Sequence, residues 1–245
     1  MDLGIKGKKA LVFGASSGLG KAIASVLVSE GVDVAITSSN IDKITAAKNE
    51  IGAKAGLVAD LRKPDAASAV VREAIDALDG IDILVMNAGG PPKGKFFELT
   101  DEQWRDQFQS LWLSVLNSVN ECYPLMKKNQ WGRIVLLTSI SAKESIPSLT
   151  ISNGLRAGLL NLVKDFSKDL AQDGITVNAV LPGYIATDRL SELGVDLAQM
   201  AQSIPAKRLG DPKEIGDLVA FLASERAAYI NGQNISCDGA LIKGI

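Results

Sequence analysis

Short runs of valine, isoleucine and leucine recur along the whole chain, each followed by a longer stretch in which apolar residues return at helical spacing. No other feature constrains the fold as much as this rhythm. The runs fall at 10–13, 33–37, 55–60, 81–87, 133–139, 176–181 and 234–238. They show little apolar–polar alternation, as expected for strands covered on both faces. The amphipathic stretches at 21–30, 65–78, 101–126, 152–172 and 212–224 predict helices. Strands separated by helices of this length pair in parallel, through right-handed crossovers. The expectation is a single α/β domain over 1–245: a doubly wound parallel sheet of about seven strands with helices on both faces.

Composition narrows what such a domain does. The net charge of −2 provides no broad basic field for nucleic acid or an anionic membrane. The chain has no histidine, and its two cysteines, Cys122 and Cys237, lie far apart. The usual His/Cys metal sites are therefore excluded, as are Ser-His-Asp and Cys-His catalysis. The first residues lack the long apolar core of a signal peptide, and no apolar run is long enough to span a bilayer. A cytoplasmic protein is expected, with small molecules or copies of itself as partners.

The first predicted strand runs into Gly14-Ala15-Ser16-Ser17-Gly18-Leu19-Gly20, and a helix follows from Lys21. Glycines here permit a tight turn and let backbone N–H groups approach a pyrophosphate at a helix N-terminus. A triphosphate P-loop is disfavoured, because Ala22 follows Lys21 where a hydroxyl would hold magnesium. At the end of the second strand, an acidic residue would select NAD through its ribose hydroxyl. That region reads Thr37-Ser38-Ser39-Asn40. Its hydroxyls and amide suit a 2′-phosphate, so NADP is favoured, with NAD left open because no arginine stands beside them.

The glycine turn is followed by Asp60-Leu61, Asn87-Ala88-Gly89-Gly90, Ser139, Asn178 through Tyr184 with Pro182-Gly183, and Gly232-Gln233 with Asp238-Gly239. In order and spacing the chain resembles the short-chain dehydrogenase/reductase family, and within it the 3-oxoacyl-acyl-carrier-protein reductase-like group. The resemblance implies a Rossmann-type fold that binds a nicotinamide dinucleotide through Gly14, Ser16, Ser17, Gly18, Leu19 and Gly20, with Ser38 and Ser39 near the adenosine ribose. It further implies Asp60 and Leu61 against the adenine, and Asn87, Ala88 and Gly89 under the adenosine side. Pro182, Gly183, Ile185 and Thr187 would border the nicotinamide. A homotetramer or dimer is also implied, with contacts through 101–126, 152–172 and 234–245.

The family's catalytic group is an Asn, a Ser, a Tyr and a Lys, and only the serine is present here, as Ser139. The other three positions fall on Leu111, Ser152 and Arg156. Ser152 and Arg156 keep the four-residue interval that places both on one helix face. An aliphatic hydroxyl is a far weaker acid than a phenol, and arginine stays charged, so neither carries a proton as tyrosine and lysine do. Lys143 and Tyr184 are candidates to reach the pocket mouth instead. Arg156 would fix the ribose or an acidic substrate group. The stretch 186–211, which contains Gly194, Met200 and Pro205, is a candidate substrate lid. Two functions remain open: hydride transfer on a carbonyl/alcohol pair through a non-standard site, or dinucleotide binding without turnover as a sensor or oligomer subunit.

Overall fold

The computed structural model describes residues 2–191 and 196–244. Seven strands form one sheet: β1 (Lys9–Val12), β2 (Asp33–Ser38), β3 (Ala55–Val58), β4 (Ile83–Met86), β5 (Gly132–Leu137), β6 (Ile175–Pro182) and β7 (Asn234–Cys237). Their order is β3-β2-β1-β4-β5-β6-β7, with every neighbouring pair parallel. The chain winds outward from β1, returns to its other side at β4, and winds outward again. That reversal opens a crevice beyond the C-terminal ends of β1 and β4.

The helices are α1 (Gly18–Ser29), α2 (Ile41–Ile51), α3 (Ala66–Leu78), α4 (Asp101–Phe108), α5 (Ser114–Asn129), α6 (Thr150–Leu170), α7 (Asp188–Ser191), α8 (Leu197–Ser203) and α9 (Pro212–Leu222). Alternate strand residues feed two cores. Leu11, Leu84, Ile134 and Leu136 meet side chains of α3, α5 and α6 on one face. Val12, Val85, Val135 and Leu137 meet those of α1, α2 and α9 on the other. All residues of β4, β5 and β6 are buried, which is why their sequences are dominated by apolar residues, interrupted by the buried Arg133 of β5 and Thr176 and Asn178 of β6.

Three details depart from the sequence expectation. The helix expected at 101–126 is broken by a π turn, Gln109–Leu113, between α4 and α5. The inserted residue rotates the following turn, and such turns concentrate at functional sites. Second, α2 was not foreseen. Asn40, read as a phosphate-facing amide, instead caps it by accepting from the Lys43 N–H at 2.9 Å. The helix buries only Ile44 and Ala47, a stripe too thin to stand out as periodicity. Third, 186–211 contains α7 and α8, while Gly194 lies outside the described residues. Ile185 and Gly210 pair at its base, where the Ala186 N–H donates to the Gly210 C=O at 2.9 Å.

At the start of α9, Asp211 and Glu214 form a reciprocal capping box with Pro212 in the first turn. Arg208 adds a two-point fork to Glu214 at 2.7 Å on each arm, holding that carboxyl down at about 2. Among the described residues, no helix is long and apolar enough to cross a membrane. Nor does any group of three or more metal-ligating side chains come together among them.

Candidate functional site

A cleft of about 750 Å³ occupies the crevice between β1 and β4 and continues past the ends of β5 and β6. The glycine turn forms its floor. Gly14 has a φ of +59°, a conformation that L side chains rarely adopt, and a Cβ there would strike the Asn87 C=O. Gly20 sits beneath the turn, where a Cβ would collide with the Gly14 C=O and come within 2.8 Å of Asn87 Nδ2. Asn87 Nδ2 donates to the Gly14 C=O at 3.1 Å and laces the ends of β1 and β4 together across the crevice. This is a structural role at the motif that the sequence assigned to the adenosine side.

Ser16, Ser17, Gly18 and Leu19 line the cleft. Ser17 precedes α1 but makes no side-chain cap, and the first turn of α1 contains no acidic residue. The first N–H groups of that helix are thus left for a ligand, and an anion is the ligand their geometry and the helix dipole favour. Ala88 and Gly89 line the opposite wall, and a Cβ on Gly89 would enter open space. An uncapped helix N-terminus above a turn too tight for side chains fits the pyrophosphate of a dinucleotide.

At one end of the cleft stand Ser38, Ser39, Asp60 and Leu61. Ser16 Oγ donates to Ser38 Oγ at 3.0 Å. Arg62 lines the same end, a residue that sequence reasoning had passed over. Its Nε and Nη2 donate to the two oxygens of Asp60 at 2.9 and 2.8 Å. The hydrogen bond from Arg62 holds the Asp60 carboxyl below the usual carboxylate range.

The other end is built from Ser139, Ser152, Arg156, Pro182, Gly183 and Thr187, with Ser110 and Asp188 beside them. Ser139 lies two residues beyond the end of β5, and its Oγ accepts from the Ser141 N–H at 3.1 Å. Ser141, unanticipated from the sequence, is buried and shares a 3.0 Å hydrogen bond with the Ser152 hydroxyl. Arg156 is also buried, and its Nη1 donates to the C=O groups of Leu137 and Thr138, both at 2.9 Å.

The need for Arg156 at this point follows from β6. The Thr138 N–H donates to the Val180 C=O at 2.9 Å. A parallel ladder would continue with residue 182 donating back to the Thr138 C=O. Pro182 has no N–H, and Arg156 supplies the donor instead.

Three sequence candidates lie elsewhere. Lys143 ends a short 3-10 turn, exposed and away from the lining of the cleft. Tyr184 and Ile185 line a separate small pocket beside Cys237 and Arg208. Tyr184 and Ile185 turn away from the cleft, and the chain comes back to it at Thr187 and Asp188. Leu111, in the π turn, is buried and does not line the cleft, whereas its neighbour Ser110 does. Among the described residues, the titratable side chains that line the cleft are Asp60, Arg62, Arg156 and Asp188, with no phenol or lysine.

A doubly wound parallel sheet with a glycine turn at its switch point defines a dinucleotide-binding α/β protein. Residues 14–241 match the family model described as enoyl-(acyl carrier protein) reductase. The 3-oxoacyl-[acyl-carrier-protein] reductase FabG of Staphylococcus epidermidis is 36% identical over 240 residues, 96% of this chain and 98% of that protein. The chain belongs to the short-chain dehydrogenase/reductase family, in its FabG-like part. The solved structure of YwfH, an NADPH dependent reductase involved in bacilysin biosynthesis, superposes with a TM-score of 0.92 at 32% identity. It covers 98% of this chain and 100% of its own. The L-sorbose reductase of Gluconobacter frateurii, solved with NADPH and L-sorbose, superposes with a TM-score of 0.92 at 30% identity over 100% of both chains.

Proposed function

We propose that this protein is an NADP(H)-dependent oxidoreductase acting on a small carbonyl/alcohol pair through a reacting centre in which hydroxyls and an arginine replace the family's usual groups. The observation that carries the reading is the continuity of one cleft from the uncapped N-terminus of α1 to Ser139, Ser152 and Arg156. Its similarity to reductases solved with NADPH supports the choice of dinucleotide. When bound, NADP(H) supplies or accepts the hydride.

The chain's own residues do the rest. Ser139 Oγ accepts from the Ser141 N–H, which leaves its hydroxyl proton to donate to a substrate oxygen. Arg156 fixes the end of β5 and brings a permanent positive charge close to where negative charge gathers on that oxygen. Ser152 is steadied by Ser141. The stretch 186–211 acts as the lid, since Thr187 and Asp188 at its start already line the cleft. The protein works as a homotetramer or dimer. The exposed aromatic Phe108, stacked on Trp112 at 5.8 Å along the α4–α5 face, supports this.

The second reading is dinucleotide binding without turnover. The absence of a phenol or lysine from the cleft lining among the described residues favours it, because general acid–base catalysis typically contributes about 10²–10⁴-fold. Calorimetric titration with NADPH and NADH, followed by a ketone screen that monitors NADPH oxidation, separates the two. Micromolar NADPH binding with turnover supports the enzyme. Binding without turnover, together with activity gained by the triple change Leu111→Asn, Ser152→Tyr, Arg156→Lys, supports the binding protein. No binding at millimolar concentration overturns both.

A further inference from the structure

Two cationic side chains line the cleft among the described residues, and they stand at opposite ends. Arg156 is buried against the backbone of β5. Arg62 lies on the loop after β3, and its surroundings make it a ligand-facing group. The Ser38 C=O accepts from the Ala59 N–H at 2.9 Å, so the end of β2 and the loop carrying Asp60 and Arg62 are joined at their root. Ser38, Ser39, Asp60 and Arg62 therefore face one end of the cleft.

Arg62 is held there before any ligand arrives. Asp60 grips Nε and Nη2 in a two-point fork and also accepts from the Arg62 backbone N–H at 3.1 Å. A planar guanidinium fixed at two points loses little further freedom when it meets a second anion. The rest of its fork makes no hydrogen bond among the described residues, and the side chain remains 58% exposed. A second carboxylate, Asp106 on α4, acts on Arg62 only through its charge.

We infer that Arg62, braced by Asp60, binds the 2′-phosphate of NADP(H) and sets the preference for it over NAD(H), with the Ser38 and Ser39 hydroxyls as neutral partners. This rests on the NADP(H) reading above. The brace has a second effect. An Asp60 carboxylate without Arg62 would repel a 2′-phosphate, so the pair converts a residue that disfavours NADP(H) into one that presents its binding group.

The test is calorimetric titration of the full chain and of Arg62→Gln with NADPH, NADH and adenosine 2′,5′-bisphosphate. The parent is expected to prefer NADPH. Arg62→Gln should weaken NADPH and the bisphosphate by about 10- to 100-fold, the cost of one charge-assisted contact. NADH affinity should stay within about threefold. Arg62→Lys should fall between, since a point charge cannot use the fork. A parent that prefers NADPH, with the preference unchanged in a folded Arg62→Gln, overturns the inference alone. A parent that binds neither dinucleotide overturns the NADP(H) reading and the inference together.

Discussion

Replacing Arg156 with methionine removes the donor that closes the β5–β6 ladder where Pro182 cannot. Two charge-assisted hydrogen bonds disappear, to the Leu137 and Thr138 C=O groups. Hydrogen bonds to charged groups contribute about 1.5–3 kcal/mol each. Methionine fills a similar volume, so little is added for a cavity. Relief of a buried charge and water entering from the cleft offset part of the loss. The net destabilisation expected is about 2–4 kcal/mol, most of it from the Thr138 C=O, which has no ladder partner. In urea unfolding this appears as a lower midpoint at unchanged slope. In thermal unfolding it is a drop of roughly 5–15 °C for a chain of this size. The diagnostic step is Pro182→Ala in the same background. It restores a backbone N–H opposite Thr138 and should recover about 1 kcal/mol, while in the parent it recovers nothing. An Arg156→Met variant within about 0.5 kcal/mol of the parent, or no rescue by Pro182→Ala, refutes the view of Arg156 as a strand-end donor.

Three further outcomes are expected. Ser141→Ala and Ser152→Ala should each cost about 1–2 kcal/mol by stranding the other buried hydroxyl. The double variant should cost less than their sum, and strict additivity in the cycle would show that the two hydroxyls do not depend on each other. Gly20→Ala forces a methyl group against Gly14 and Asn87, so it should lose about 1–3 kcal/mol of stability and weaken NADPH binding more than tenfold; unchanged calorimetric affinity would mean the turn does not shape the site. The Glu214 carboxyl is depressed in the fold, so its contribution is complete above its ordinary value of 4.5 and is lost as the pH falls through about 2. A carboxyl NMR titration should show that low midpoint, and Arg208→Ala should move it back up; a midpoint indifferent to Arg208 contradicts the assigned fork.

The sheet was legible because its strands are covered on both faces. β4 is buried along its whole length and wrote itself into the sequence as an unbroken apolar run, and the equally buried β6 as one interrupted only by Thr176 and Asn178. α2 was not legible: it buries two side chains, and its capping Asn40 looked equally like a ligand-facing amide. At the site, the glycine turn and the substitutions at Leu111, Ser152 and Arg156 were visible as spacing alone. Arg62 and Ser141 were not, although each stands two residues from a motif position. Their roles depend on where a side chain points after a turn, which no periodicity records. The neighbour that Arg156 serves was hidden for a different reason. It becomes apparent only when β6 is placed beside β5, Val180 against Leu137, so that the ladder N–H due at the Thr138 C=O falls to Pro182.

The reversal of strand order at β1 and β4 has a consequence for how such a protein can change over time. Among the described residues, the lining around the glycine turn, Ser38 and Asp60 comes mostly from residues up to Pro91, and the lining around Ser139, Ser152 and Arg156 comes from Gln107 onward, with Thr187 reaching back beside Gly18. The two groups are written in separate stretches of the gene and meet at the seam tied by Asn87 and where Thr187 lies beside Gly18. Substitutions in the later stretch can rebuild the chemistry without disturbing the cradle. A recombinant that joins this chain's first half to a relative's second half would inherit one grip and another reaction.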